Sequence, residues 1–187
     1  DRRKDPALFG SQEAVRSVRE HADVGLYLVN ASESPEDAAY VRPEMEGHFR
    51  HAAMFVGGNV REAVNTGRAD YIPVFLSEIP ALFTGGVLPV DVCLIQVSPP
   101  DEHGFCSFGI SVDYTKPAAQ VAKTVIAQVN PKMPRTHGDA FIHVSEIDHI
   151  VESEQDIIEL QPPRIGPVEE AIGKHIAGLV EDGSCLQ

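Results

Sequence analysis

Val97-Ser98-Pro99-Pro100-Asp101-Glu102-His103-Gly104-Phe105-Cys106-Ser107-Phe108-Gly109 is the stretch that decides the fold of this chain. It follows an apolar run, Val90 to Val97, interrupted only by Asp91 and Gln96, which reads as a buried, central strand. Val92, Leu94 and Val97 are expected inside. Two prolines then end the strand, because neither can donate a ladder hydrogen bond. In an open α/β sheet, ligands bind outside the carboxyl ends of strands. A polar loop at that place, Ser98 to Gly104, is therefore a site candidate at a cleft.

Outward from this loop, strand and helix patterns alternate. Ser11 to His21 has helical spacing, and Val24 to Val29 is a short apolar strand. Asn30 to Met45, with Pro35 and Pro43, is expected as loop. Ala52 to Val56 reads as a strand ending in Gly57-Gly58, after which Asn59 caps a helix to about Asn65 that Gly67 stops. Tyr71 to Val74 is a short strand, and Ser77 caps a turn or helix over Glu78 to Phe83 with Pro80 in its first turn. Phe108 to Val112 is a further strand candidate, and Thr115 caps a helix through Ala122. Thr124 to Val129, Phe141 to Val144 and Ile147 to Val151 read as strands. Gln161 to Arg164 is a linker. Val168, Ile172, Ile176 and Leu179 recur at helical spacing, so Pro167 to Glu181 is expected as an amphipathic helix that packs on a core. This alternation argues for a layered α/β/α domain with a largely parallel or mixed open sheet.

The totals set limits. The chain has 187 residues, enough for one domain with a sizeable core. Its formal net charge is −13, a surface that repels nucleic acid and anionic lipid. A local basic pocket for an anionic small ligand stays compatible with it. Cys93, Cys106 and Cys185 are odd in number and widely spaced, so they suggest neither a disulfide framework nor a zinc pattern, and point to a reducing, cytoplasmic setting. No apolar run reaches the ~18 residues of a membrane span.

Several groups invite chemistry, each with a plainer reading beside it. Gly57-Gly58 before a helix N-terminus would suit an anion, or is only a tight strand-to-helix turn. His48 and His51 lack a third metal ligand nearby, and no metal is expected. Ser98, Asp101 and His103 are the residue types of a hydrolase triad. Crowded on one loop they are better suited to shaping it or lining a substrate, since triad members come from separate elements. Asp113, Lys116, Arg135, His137 and Asp139 lie near element ends, where a cation could receive a carboxylate or phosphate, or each is a solvated loop charge. No Walker motif and no G-x-G-x-x-G following a strand is present.

The loop carries a resemblance as well. Together with Asn59-Val60-Arg61-Glu62-Ala63-Val64-Asn65, with Gly67-Arg68-Ala69-Asp70-Tyr71-Ile72-Pro73-Val74-Phe75-Leu76-Ser77-Glu78-Ile79-Pro80, and with Asp139-Ala140-Phe141-Ile142-His143-Val144-Ser145, it resembles the acetyl-CoA hydrolase/transferase family, which includes 4-hydroxybutyrate and butyrate–acetate CoA-transferases. The resemblance runs from about Tyr40 to Gln187. It implies the amino-terminal half of a CoA-transferase-like fold, cut at both ends, with 1–187 as one domain. It implies exchange of CoA between an acyl-CoA and a short-chain carboxylate through a glutamyl-CoA intermediate. The nucleophilic glutamate would lie in the second half, so no catalytic residue is assigned in this chain, and 1–187 alone is expected to be inactive. Ser98, Pro99, Asp101, His103, Gly104 and Phe105, with Asn59 and Glu78, are the candidates for the substrate and CoA pocket. A loop stiffened by Pro99 and Pro100, with Phe105 behind it, would suit closing an acyl pocket against water. Coenzyme A is then substrate rather than resident cofactor. The partners implied are acyl-CoA, a short carboxylate and the chain's own carboxy-terminal domain, with no nucleic acid or membrane, and a homo-oligomer stays open. An acetyl-CoA hydrolase and a non-catalytic acyl-CoA-binding module are the alternatives.

Overall fold

A computed structural model describes residues 39–159 and 161–185. The expected helix at Ser11–His21 and strand at Val24–Val29 lie outside the described residues. Seven strands are described: β1 (His51–Ala53), β2 (Ala69–Tyr71), β3 (Val92–Val97), β4 (Phe105–Ser107), β5 (Thr124–Val129), β6 (Phe141–His143) and β7 (His149–Glu152). Four α-helices accompany them: α1 (Gly58–Asn65), α2 (Ile79–Thr84), α3 (Thr115–Val121) and α4 (Pro167–Ala177). Short 3-10 turns at Ala39–Val41 and Pro43–Met45 occupy part of the expected loop. The fold is mixed α/β with parallel sheets, as the alternation implied.

The main sheet is parallel in the order β3-β5-β7, with Val97 beside Val129 and Val129 beside Glu152. The three carboxyl ends therefore lie together. Among the described residues β5, not β3, is the central strand, which corrects the reading of Val90–Val97. An apolar run reports burial but not the number of neighbours. Burial along β3 also alternates: Cys93, Ile95 and Val97 are inside, whereas Val92 and Leu94 are 50% and 43% exposed. The inner face joins Val125, Ala127 and Val129 in a core with Ile79, Phe83, Phe108, Ala118 and Ala119. A parallel pair β1-β2 and an antiparallel pair β4-β6 complete the strands.

Asn130 ties the carboxyl ends together. It is fully buried, its N–H donates to Val97 O at 2.9 Å, and its Nδ2 donates to Gln155 O at 2.8 Å and to Gln96 Oε1 at 3.2 Å. Its Oδ1 accepts from the N–H groups of Lys132 and Gln155 at 3.0 and 3.2 Å. One side chain thus satisfies backbone groups beyond β5 and beyond β7, as buried polar groups require.

Other sequence expectations shift. Gly57, not Asn59, stands at the N-cap of α1, and Asn59 lies within the first turn. Ser77 sits inside a 3-10 turn, Leu76–Glu78, and does not cap α2. Thr115 is the first residue of α3, not its cap. The strand expected at Phe108–Val112 is instead β4, three residues earlier, because Gly109 turns the chain at φ 63°. The chain divides into two compact units, one up to Asp156 and one from Ile157 onward. In the second, α4 ends at Ala177 and Gly178 forms its C-cap. Among the described residues of this unit Val168, Ile172 and Ile176 are exposed, so the helix finds no core within its own unit.

Candidate functional site

The candidate loop leaves the sheet at the carboxyl end of β3 and returns as β4. Ser98 N–H donates to Ser107 O, and Ser98 Oγ accepts from Ser107 N–H at 2.9 Å. Ser98 is buried, so this hydroxyl pins the neck of the loop. Asp101 organises the tip: its Oδ1 accepts from the N–H groups of His103 and Phe105 at 3.0 and 2.9 Å. Gly104 turns the chain at φ 83°, where a Cβ would lie 2.7 Å from His143 Nε2.

Arg135 reaches this loop from 34 residues away. Its Nη2 donates to Asp101 Oδ2 at 2.5 Å and its Nη1 to Phe105 O at 3.0 Å, while the guanidinium lies 4.8 Å from the centre of the Phe141 ring. The backbone N–H of Phe105, then that of His103, then Arg135 hold the Asp101 carboxyl below its ordinary value. The Phe105 ring meets His143 edge-on at 5.0 Å. Sequence reading named Arg135 only as one of several cations; its pairing with Asp101 depends on tertiary structure.

These contacts do not build a triad. Ser98 Oγ is turned to Ser107, both Asp101 oxygens are engaged, and the exposed His103 ring approaches Glu102 Oε1 at 3.5 Å. Asp101 therefore shapes the loop, and Pro99, Pro100, His103 and part of Phe105 face solvent. Glu78 Oε2 accepts from Phe75 N–H at 3.3 Å and closes its own turn. Lys116 is held by the side chain and carbonyl of Asp139. Among the described residues no group of three or more His, Cys, Asp or Glu forms a metal-ligand set. His51 is buried with its ring against Tyr40, and burial lowers its pKa.

A cavity of about 420 Å³ is lined by Phe108, Lys116, Gln120, Phe141, Glu146 and Asp148, among others. It includes Val125, near the amino end of β5, whereas the loop stands beyond the carboxyl end of β3. None of residues 98–105, Asn59 or Glu78 lines it. Its polar lining is occupied structurally: Asp148 Oδ2 accepts from Val125 N–H and Glu146 Oε2 from His143 N–H.

A parallel sheet flanked by helices, with a tethered loop beyond its carboxyl edge, defines a domain of the mixed α/β class. The acetyl-CoA hydrolase/transferase N-terminal domain matches residues 11–162, and the chain belongs to that family. It is 62% identical over 148 residues to a 4-hydroxybutyrate coenzyme A transferase of Clostridium kluyveri, covering 79% of this chain and 34% of that protein. It is 47% identical over 166 residues to a succinyl-CoA:acetate/propanoyl-CoA:succinate CoA transferase of Fasciola hepatica, covering 88% and 34%. Among solved structures, RipA from Yersinia pestis superposes with a TM-score of 0.84 at 32% identity, covering 98% of this chain and 44% of that one. A 4-hydroxybutyrate CoA-transferase from Porphyromonas gingivalis gives 0.67 at 32% identity, covering 97% and 46%. The chain thus spans about a third of the length of the curated relatives just named.

Proposed function

We propose that the protein containing this chain is a CoA-transferase exchanging CoA between an acyl-CoA and a short-chain carboxylate of the acetate, 4-hydroxybutyrate or butyrate type. The 62% identity to a 4-hydroxybutyrate coenzyme A transferase carries this reading. A glutamate outside this chain attacks the thioester carbonyl carbon, and the C–S bond breaks to release CoA thiolate. The thiolate then attacks the glutamyl carbonyl of the resulting anhydride and displaces the first carboxylate. The acceptor acid reverses both steps. Covalent catalysis of this kind divides one hard displacement into easier ones. The protein operates in the cytoplasm.

This chain's part is a wall of the pocket. Pro99, Asp101, His103, Gly104 and Phe105 present a loop whose shape is fixed by Asp101 and Arg135, so little ordering is needed when acyl-CoA arrives. Ser98 anchors its base, and Asn59 and Glu78 belong to the neighbouring wall. Without the glutamate placed in the second half, residues 1–187 alone transfer no CoA. Initial rates of the full-length protein, with acyl-CoA and carboxylate varied together, test the reading. Parallel double-reciprocal lines, the pattern of a covalent intermediate, support it. Intersecting lines, or no exchange with any short acid, would overturn it.

A further inference from the structure

The backbone at the tip of the loop, His103 to Phe105, is fully engaged. The N–H groups of His103 and Phe105 donate to Asp101 Oδ1 at 3.0 and 2.9 Å, and that of Gly104 donates to Asp101 O at 3.0 Å. The Gly104 carbonyl accepts from Val144 N–H at 3.0 Å. The Phe105 carbonyl accepts from Asp101 N–H and from Arg135 Nη1, both at 3.0 Å. The His103 carbonyl has one partner among the described residues, His143 Nε2 at 3.1 Å. With every backbone group taken, the tip can offer a ligand only its side chains, and the frame around the tip aims them.

His143 ends β6, and its ring is fixed from the side away from the loop. Ser145 N–H donates to His143 Nδ1 at 3.2 Å, and Ser145 Oγ lies 2.7 Å from the same atom. A backbone N–H can only donate, so Nδ1 is the bare nitrogen and the proton of the neutral ring sits on Nε2. Nε2–H is then the donor to the His103 carbonyl. The ring also bears on Gly104, where a Cβ would lie 2.7 Å from Nε2 and 3.2 Å from Cδ2. Glycine at 104 is thus what lets the ring close on the loop. Phe105 meets the same ring edge-on at 5.0 Å. Arg135 holds Asp101 and the Phe105 carbonyl, and His143 holds the carbonyl of His103.

We propose that His143, as its Nε2–H tautomer, is a positioning residue for acyl-CoA: it holds the His103 carbonyl so that the His103 and Phe105 side chains meet the ligand already in place. This rests on the reading of the loop as a wall of the acyl-CoA pocket. Two variants separate the hydrogen bond from the packing. The amide nitrogen of His143→Gln falls where Nε2 stood and still donates, whereas that of His143→Asn falls at the place of Nδ1 and does not reach His103 O. Titrate the full-length protein and both variants with butyryl-CoA by calorimetry, and measure kcat/KM for butyryl-CoA with acetate as acceptor. His143→Asn should weaken binding and lower kcat/KM by about fivefold, the size of one lost hydrogen bond, and His143→Gln should stay within about twofold of the unmodified protein. A merely structural histidine would lower the melting temperature of both variants and leave the affinity of the folded protein alone. That result, or equal losses of affinity in the two variants, overturns the proposal. A long-range nitrogen–proton spectrum of the histidine side chains should show a protonated Nε2 and a bare Nδ1 at His143, and the opposite tautomer also overturns it. If butyryl-CoA binds with the expected order of affinities but no CoA passes to any short acid, the positioning role stands and the transferase reading falls. No binding of butyryl-CoA by the unmodified protein overturns both.

Discussion

Asn130→Ala removes four side-chain hydrogen bonds at once: two donated by Nδ2 to Gln96 and Gln155, and two accepted by Oδ1 from Lys132 and Gln155. A neutral hydrogen bond contributes roughly 1 kcal/mol net, and a buried group left unpaired costs about 1–3. One water can enter the space vacated and restore up to about three of the contacts. The expected loss is therefore about 2–4 kcal/mol of folding stability, read from the urea midpoint at unchanged slope. Asn130→Asp separates the parts. It keeps both acceptor contacts, loses both donors and buries a carboxyl group. Burial raises that group's pKa in the folded state above its unfolded value, so this variant is most nearly native below pH ~4 and loses stability as pH rises above it. A loss under about 0.5 kcal/mol for Asn130→Ala would refute the idea that this residue clamps the strand ends. So would an Asn130→Asp variant with wild-type stability at pH 8.

Gly104→Ala places a Cβ at φ 83° and 2.7 Å from His143 Nε2, and should cost about 1–2 kcal/mol or more in thermal melts; an unchanged melting temperature would contradict the loop geometry. Burial pushes the Cys93 thiol up to about 11 and raises that of Cys106, so brief alkylation at pH 7.5 should leave both unlabelled in peptide maps while marking Cys185, which is exposed. Burial also lowers the pKa of His51, so the folded form stays neutral while the unfolded chain takes a proton below about pH 6.5. Its contribution is full above that value and is lost as pH falls toward the lowered folded value. His51→Phe should flatten this part of the stability profile, and a slope equal to wild type would show that His51 is not the group responsible.

The fold was legible where a segment's own composition settles its state. Thr124–Val129 is rich in β-branched and apolar residues, broken by Gln128, between Lys123 and Asn130, and its bounds match β5. Where neighbours decide, the reading slipped. The apolar run after Tyr71 suggested a strand to Val74, yet β2 is Ala69–Tyr71, since Pro73 cannot donate to a ladder. Nothing local distinguishes β3, with one partner among the described residues, from β5 with two. The exposed apolar face of α4 has the same periodicity as a packed one. For the loop, Pro99, Pro100 and the Asp101–Gly104 sequence announced a shaped turn. The tether by Arg135 joins residues far apart in sequence, and the role of Asn130 appears only when three strand ends meet. The glycine pair before α1 was legible as a strand-to-helix turn, whereas the unpaired Nδ2 of Asn59 required coordinates.

An enzyme of which this chain forms part, if it is the CoA-transferase proposed, hands CoA to a carboxylic acid and not to water. The most direct test of this is the product of the full-length protein given butyryl-CoA and saturating acetate, with acetyl-CoA and free CoA quantified together by mass. Acetyl-CoA formed well in excess of free CoA is the expected result. Release of free CoA as the dominant product at saturating acetate would contradict it.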